Sequence, residues 1–434
     1  MNIQFTVMPG DTLQGMHRVP GDKSISHRAI MLGALAQGTT EITGFLEGED
    51  TLATLAAFQA MGVPIEKLEP SHVIIQGVGL HGLAAPSAPL NLGNSGTSMR
   101  LLSGLMAGQT FSVEMTGDAS LSKRPMKRVT EPLSNMGAVI DTSSTGTPPL
   151  KIKGQQTLQG IDYLLPVASA QVKSCLLLAG LYAQGTTCVT EPAPTRDHTE
   201  RMLTGFGYPI SREGAKVCLQ GGHALQATAV DVPADISSAA FFMVGASIAN
   251  KADITLQHVG INPTRTGIID ILHHMGADIT LHNPRTVSGE PVADIQIRST
   301  HLKGITIPEH LVPLAIDEFP AIFIAAACAE GETVLTGAKE LRVKESDRIQ
   351  VMADGLHAVG INAEPLPDGM IIHGGQIRGG KVDSHGDHRI AMAFTMASLR
   401  TQDTIVIQDC ANVATSFPGF VTLAQAAGIH IDQR

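Results

Sequence analysis

Met61-Gly62-Val63-Pro64-Ile65 ends one kind of segment and begins another. The residues before it read as a helix. Glycine just past a helix end takes the left-handed cap conformation cheaply, and the branched residues that follow start a strand. The same join returns at Met136-Gly137-Ala138-Val139-Ile140, Phe206-Gly207-Tyr208-Pro209-Ile210 and Met275-Gly276-Ala277-Asp278-Ile279, then at Val359-Gly360-Ile361-Asn362-Ala363 and Ala427-Gly428-Ile429-His430-Ile431. The six glycines are spaced by roughly 70 residues, and self-similarity at a near-fixed period marks a repeated structural unit.

Working outward from the join, each unit holds an earlier segment rich in Ala, Gly and Ser, over 28–36, 97–107, 171–182, 236–248, 319–329 and 388–399. These segments are apolar nearly all round, which predicts helices buried on every side. A short strand is predicted after each, over 39–43, 111–115, 186–190, 252–256, 332–335 and 404–407. Six α/β units in 434 residues fit two domains of three units each, with a break near residue 235. A tandem α/β solenoid is the alternative, but repeats of roughly 70 residues exceed the common solenoid periods.

Composition narrows the function classes. Hydrophobic residues make up 43%, aromatics only 3%, and Trp is absent, so an aliphatic core is expected. Charged residues are few (16%) and the net charge is −10, which argues against a nucleic-acid partner but not against a small anionic ligand. The five cysteines are scattered and form no C-x-x-C pair, so neither a disulfide framework nor a zinc site is expected. The start, Met1 to Val7, does not read as a signal peptide, and no apolar run approaches the ~20 residues of a membrane span. A cytoplasmic monomer is expected.

The cations have a pattern. Lys23 and Arg28 flank Ser24 and Ser26 where a Pro-Gly turn, Pro20-Gly21, runs into a helix. Arg100, Lys123-Arg124, Lys127-Arg128, Lys173, Arg196, Arg201, Arg265, Arg342, Lys344, Arg348 and Arg389 follow, nearly all at predicted helix starts. The helix dipole favours cations at the other end, so this placement points to anions held where helix N-termini offer free N–H groups. Gly93-Asn94-Ser95-Gly96-Thr97 is a turn whose amides could cradle an anion. Asp317-Glu318 and Glu345 lie among these cations, as candidates to move protons or as salt-bridge partners. Gly77-Val78-Gly79-Leu80-His81-Gly82 matches a dinucleotide fingerprint, but prolines rather than a helix follow it. His385-Gly386-Asp387-His388 lacks further clustered ligands, and no metal is expected.

These same residues resemble a known family. Lys23-Ser24 with Arg28, Leu92 to Thr97 with Arg100, and Gly117 to Met126 are similar to motifs of the 3-phosphoshikimate 1-carboxyvinyltransferase (EPSP synthase) family. So are Ser169-Ala170-Gln171-Val172-Lys173-Ser174, Thr195 to Glu200, Arg342 to Arg348 and Asp387 to Met392. The Ser-Ala-Gln and Thr-Arg-Asp-His forms resemble a bacterial branch. The resemblance implies a two-domain inside-out α/β barrel, the enolpyruvyl transferase fold, with three repeats per domain. It places 22–238 in one domain and 1–21 with 239–434 in the other, closing on the substrates.

The resemblance also implies a reaction. The enolpyruvyl group of phosphoenolpyruvate would move to the 5-hydroxyl of shikimate 3-phosphate by addition and elimination, without a cofactor. It assigns Lys23, Ser24, Arg28, Ser169, Ala170, Gln171, Arg196, Asp317 and Lys344 to shikimate 3-phosphate, and Lys23, Asn94, Gly96, Arg124, Gln171, Arg348 and Arg389 to phosphoenolpyruvate. Asp317, Glu345 and Lys23 would be catalytic. Ala170 and Thr415 stand where some members have Ser and Lys, and Glu340 where some have Asn, so those substrate contacts are expected to be lost or replaced. Gly96 stands where some relatives have Ala, so glyphosate is expected to fit. The rival readings are a UDP-N-acetylglucosamine enolpyruvyl transferase, which uses a Cys acid that the 117–128 stretch lacks, and a non-catalytic anion-binding repeat protein.

Overall fold

The computed structural model describes residues 3–434. Contacts divide the chain into two compact units. The N-terminal unit is Gly21–Val232 with Val287–Glu290; the C-terminal unit holds the residues up to Pro20, Pro233–Thr286 and Pro291–Arg434. The main crossing falls at 232/233.

Among the described residues there are twelve α-helices, paired unit by unit. The N-terminal unit has α1 (Lys23–Leu35) and α2 (Glu49–Ala60), α3 (Gly96–Ala107) and α4 (Lys127–Asn135), α5 (Ala170–Gly180) and α6 (His198–Gly205). The C-terminal unit has α7 (Ile236–Ile248) and α8 (Gly267–His274), α9 (Phe319–Cys328) and α10 (Arg348–Ala358), α11 (His388–Ala397) and α12 (Phe420–Ala427). The first helix of every pair is the Ala/Gly/Ser-rich one, and it is buried almost along its whole length. The second ends at the repeated glycine. Gly62, Gly137, Gly207, Gly276, Gly360 and Gly428 all have positive φ, between 74° and 116°, the conformation that lets the chain turn into the next strand.

Each pair carries one small sheet. In the N-terminal unit, Ala36–Thr43, Val113–Thr116 and Thr186–Thr190 follow the buried helices, and each pairs antiparallel with a later strand of its own repeat. The chain returns to the first sheet at Leu225–Gln226 and Ala229–Asp231, parallel to Ala36–Thr43. In the C-terminal unit, Phe5–Val7 lies antiparallel between Ile405–Gln408 and Ile431–Gln433, and Thr12–His17 runs parallel to Lys251–Gly260. The start of the chain is therefore built into the unit that the end of the chain forms.

Small residues let the buried helices approach closely. A Cβ on Gly104 of α3 would sit 2.1 Å from the Cys175 carbonyl oxygen of α5. Each unit has its own apolar core, one drawn from Ile25–Val232 and the other from Phe5–Val19 and Ala234–Ile431. The expectation of an aliphatic core needs correction in both: Phe45, Phe58, Phe206 and Tyr208 are buried in the first, and in the second Phe5, Phe242, Phe417 and Phe420 form a ring cluster with centroids 5.2–6.3 Å apart. A second correction concerns cysteine. Cys188 and Cys218 are bonded as a disulfide. They face one another in the antiparallel register of Thr186–Thr190 and Lys216–Gln220, with Cα atoms 4.1 Å apart. A 30-residue separation gave no sequence cue, because only the sheet register brings the two together.

Candidate active site

The N-terminal unit gathers its motif residues at the starts of α1, α3 and α5. Side chains of Asp22, Ser95 and Ser169 cap these helices by accepting from Ile25 N, Ser98 N and Val172 N. Asp235, Asp347 and Asp387 do the same for α7, α10 and α11. The four aspartates among these caps supply the negative charge that a helix N-terminus favours.

Lys23 is about one-fifth exposed and pairs with the nearly buried Asp50 of α2. Arg28, one turn further on, is buried: Nε donates to Thr199 Oγ1 (2.7 Å), Nη2 to Ser174 Oγ (2.8 Å), and Nη1 to the Ser24 carbonyl (2.9 Å). Burial brings its pKa down to about 10, opposed by Glu200 and Asp22 and reinforced by Arg196. His27 lies between the two cations, with Nδ1 2.8 Å from Thr54 Oγ1. Burial, then Lys23 and Arg28, lowers its pKa well below the usual histidine value. Neither Asp50 nor Thr54 was anticipated; the run Gly48-Glu49-Asp50 at a helix start was the available signal.

Gln171 ties α5 to α3. Its Oε1 accepts from Arg100 Nη1 (2.7 Å) and its Nε2 donates to Thr97 Oγ1 (3.0 Å). Arg124 reaches back to the glycine turn, with Nη2 2.6 Å from Asn94 Oδ1; Asn94 Nδ2 in turn donates to Asp118 Oδ2 (2.7 Å). Asn94 thus holds Arg124 in place, while Lys123, Lys127 and Arg128 of the same segment are exposed. A Cβ on Gly96 would lie 2.9 Å from Arg100 Nη1 and 3.1 Å from Arg124 Nη1. Glycine there lets two guanidinium groups crowd onto one backbone position. Ser169 and Ala170 open α5, and Arg196 is half-buried on the loop after Thr186–Thr190.

The C-terminal unit builds a second cluster at the starts of α9, α10 and α11. Arg348 is 1% exposed and meets three carboxylates: Asp387 (Nε to Oδ2, 2.8 Å), Glu345 (Nη2 to Oε2, 2.6 Å) and Asp317 (Nη1 to Oδ1, 3.4 Å). Burial alone would lower its pKa; Asp387, then Glu345 and Asp317, outweigh this and raise it above the ordinary arginine value. Lys344 Nζ is 3.1 Å from Asp317 Oδ1, and Arg389 Nη1 donates to the Asp317 carbonyl (3.0 Å). Asp317 and Glu345 keep side-chain exposures of 15% and 31%, so both can reach a ligand. Their neighbour Glu318 turns inward to Arg265.

Not every cation faces outward. Lys173 is fully buried between Glu191 and Glu200, and Arg265 is buried beside Asp235 and Glu318. These two belong to the interior rather than to an anion site, because each is enclosed by two carboxylates of its own unit. Thr415, where some relatives carry a lysine, is buried and donates to the Asn412 carbonyl (2.7 Å). Among the described residues no group of three or more His, Cys, Asp or Glu side chains is placed to hold a metal ion, and no helix is long and apolar enough to cross a membrane.

Six α/β repeats, with guanidinium and ammonium groups at the first turns of the buried helices and two accessible carboxylates among them, define an enolpyruvyl-transferase-type α/β protein that handles polyanions. The model of the family described as EPSP synthase (3-phosphoshikimate 1-carboxyvinyltransferase) matches residues 7–423, and the chain belongs to that family. It is 68% identical over 431 residues to the 3-phosphoshikimate 1-carboxyvinyltransferase of Methylococcus capsulatus, covering 99% of both chains. It is 69% identical over 427 residues to that of Nitrosococcus oceani, covering 98% of this chain and 96% of the other. The solved structure of EPSP synthase from Acinetobacter baumannii superposes with a TM-score of 0.91 at 61% identity, covering all of both chains.

Proposed function

We propose that this protein transfers the enolpyruvyl group of phosphoenolpyruvate to the 5-hydroxyl of shikimate 3-phosphate, releasing phosphate. The observation that carries this reading is Asp317 held by Lys344 and Arg348, with Glu345 on the same guanidinium. Two carboxylates on one cationic frame suit a reaction that needs a base and an acid at once.

Asp317 takes the proton of the attacking hydroxyl while Glu345 gives one to the methylene carbon of phosphoenolpyruvate. A C–O bond forms and a tetrahedral intermediate results. In elimination Glu345 takes the proton back from the new methyl group, the C–O bond to phosphate breaks, and the proton on Asp317 leaves with the phosphate. Lys23, Arg124, Arg348 and Arg389 hold phosphoenolpyruvate and offset the charge that develops on its oxygens. Asn94, Gly96 and Gln171 shape that subsite. Lys23, Ser24, Arg28, Ser169, Ala170, Gln171, Arg196, Asp317 and Lys344 receive shikimate 3-phosphate. Arg28 supports this role by its bonding, since Ser174 and Thr199 fix its plane while its charge is kept in a buried setting.

The same proposal places the enzyme in the cytoplasm as a monomer, with no nucleic-acid or membrane partner; the net charge of −10 supports the exclusion of nucleic acid. The test is phosphate release on mixing the protein with phosphoenolpyruvate and shikimate 3-phosphate, with UDP-N-acetylglucosamine as the competing acceptor. Release that requires shikimate 3-phosphate and collapses in Asp317→Ala and Glu345→Ala is the expected result. Release with the sugar nucleotide alone, or binding of shikimate 3-phosphate without release, would sink it.

A further inference from the structure

The interior charge cluster around Lys173 connects two stretches that carry the shikimate 3-phosphate residues. Lys173 lies on α5, and its backbone N–H donates to the Ser169 carbonyl (3.1 Å), so it sits one turn past Ser169 and two residues past Gln171. Its ammonium group has no exposure. It lies 2.9 Å from Glu191 Oε1 and 2.6 Å from Glu200 Oε1. Those two carboxylates bracket the segment that holds Arg196. Glu191 leaves the strand Thr186–Thr190, and its Oε1 also accepts from the Thr195 hydroxyl, the residue before Arg196. Glu200 is in the first turn of α6, next to Thr199, which accepts from Arg28. Ser174, next to Lys173, also accepts from Arg28 and lies 2.7 Å from Thr199 Oγ1.

Two buried carboxylates this close to a phosphate subsite would repel the substrate if uncompensated, and burying an unpaired charge costs several kcal/mol. Arg212, at 40% exposure, is 4.0 Å from Glu191 Oε2 and 3.6 Å from Asp197 Oδ2, too distant and too hydrated to replace Lys173. We infer that Lys173 is the positioning residue of the shikimate 3-phosphate subsite: its charge allows Glu191 and Glu200 to brace Arg196 and Arg28 without turning the subsite negative. Lys173 touches no substrate and acts through those two carboxylates. The inference rests on the function proposed above and extends it to a residue outside the binding set.

The experiment uses the full-length protein in three forms: unmodified, Lys173→Met, and Lys173→Met with Glu191→Gln, which restores the net charge of the cluster. Phosphate release gives KM for each substrate, and melting temperature is recorded alongside. In Lys173→Met, KM for shikimate 3-phosphate should rise tenfold or more while KM for phosphoenolpyruvate stays within twofold. In the double variant KM for shikimate 3-phosphate should return to within about threefold of the unmodified value. An unchanged KM for shikimate 3-phosphate in folded Lys173→Met would overturn the inference. So would a parallel rise in both KM values with no recovery in the double variant, since a residue that serves only packing behaves that way. Should Lys173→Met fail to fold, the double variant decides: recovery to threefold supports the charge role, and a tenfold loss or a second failure to fold overturns it. Failure of the functional reading shows separately, as an unmodified protein that releases no phosphate, and takes this inference with it.

Discussion

At the scale of single residues, charge is placed by short contacts that can be broken one at a time. Asp317→Asn keeps the shape beside Lys344 and Arg348 but removes the base. A general base contributes about 10²–10⁴-fold, so phosphate release should fall by at least about a hundredfold with little change in melting temperature. Gly96→Ala puts a methyl 2.9 Å and 3.1 Å from the tips of Arg100 and Arg124. Both tips must shift, so KM for phosphoenolpyruvate should rise severalfold, and inhibition by glyphosate should weaken by more than that; equal inhibition of both forms would show that glyphosate does not sit against Gly96. His27 predicts a pH effect. Its folded pKa is lowered by burial, Lys23 and Arg28, whereas in the unfolded chain it takes up a proton near the ordinary histidine value of about 6.5. Below that value the unfolded state binds more protons, so stability falls as pH drops, by up to about 1.4 kcal/mol per unit. Urea midpoints at pH 7 and pH 5 should diverge less in His27→Gln than in the unmodified protein.

At the scale of elements, the buried helices are set by small residues at their crossings. Gly104→Val would drive a side chain into the Cys175 carbonyl of α5, where even a Cβ lies at 2.1 Å. Overpacking against backbone costs about 1–3 kcal/mol or more, and the melting temperature should drop by several degrees. Because α3 and α5 also carry Arg100 and Gln171, whose side chains share a 2.7 Å hydrogen bond, KM for phosphoenolpyruvate should rise as well. The caps belong to the same scale. Asp22, Asp235 and Asp387 satisfy helix N–H groups and offset the cations beside them, which is how Lys23 and Arg389 can stand at positions the dipole disfavours.

At the scale of the whole molecule, two separate cores mean two cooperative structures in one chain. A calorimetric scan should give a calorimetric enthalpy larger than the van't Hoff value. Shikimate 3-phosphate should raise the transition of the N-terminal unit, by about 2.7 kcal/mol at a hundredfold excess over Kd. A single two-state transition that ignores the ligand would contradict this. Start and end of the chain meet in the C-terminal unit, where Phe5–Val7 pairs with two late strands. Removing the first ten residues should therefore destabilise the C-terminal unit.

The sequence alone determined the repeat, the order of buried helix, strand and outer helix, and the cations and carboxylates to which the proposed reaction is assigned. These are local properties: a glycine cap is written at its own position, and an apolar segment declares its burial by composition. Tertiary structure decided which charges face a ligand and which face one another. Lys173 and Arg348 look alike in sequence, each a cation in the first turn of a helix. Yet one is enclosed by Glu191 and Glu200, whereas the other holds two accessible carboxylates. The pairings Lys23–Asp50, Arg28–Thr199 and Cys188–Cys218 span 27, 171 and 30 residues. Periodicity cannot foretell such contacts, because they depend on how helices and strands stack after the backbone has closed on itself.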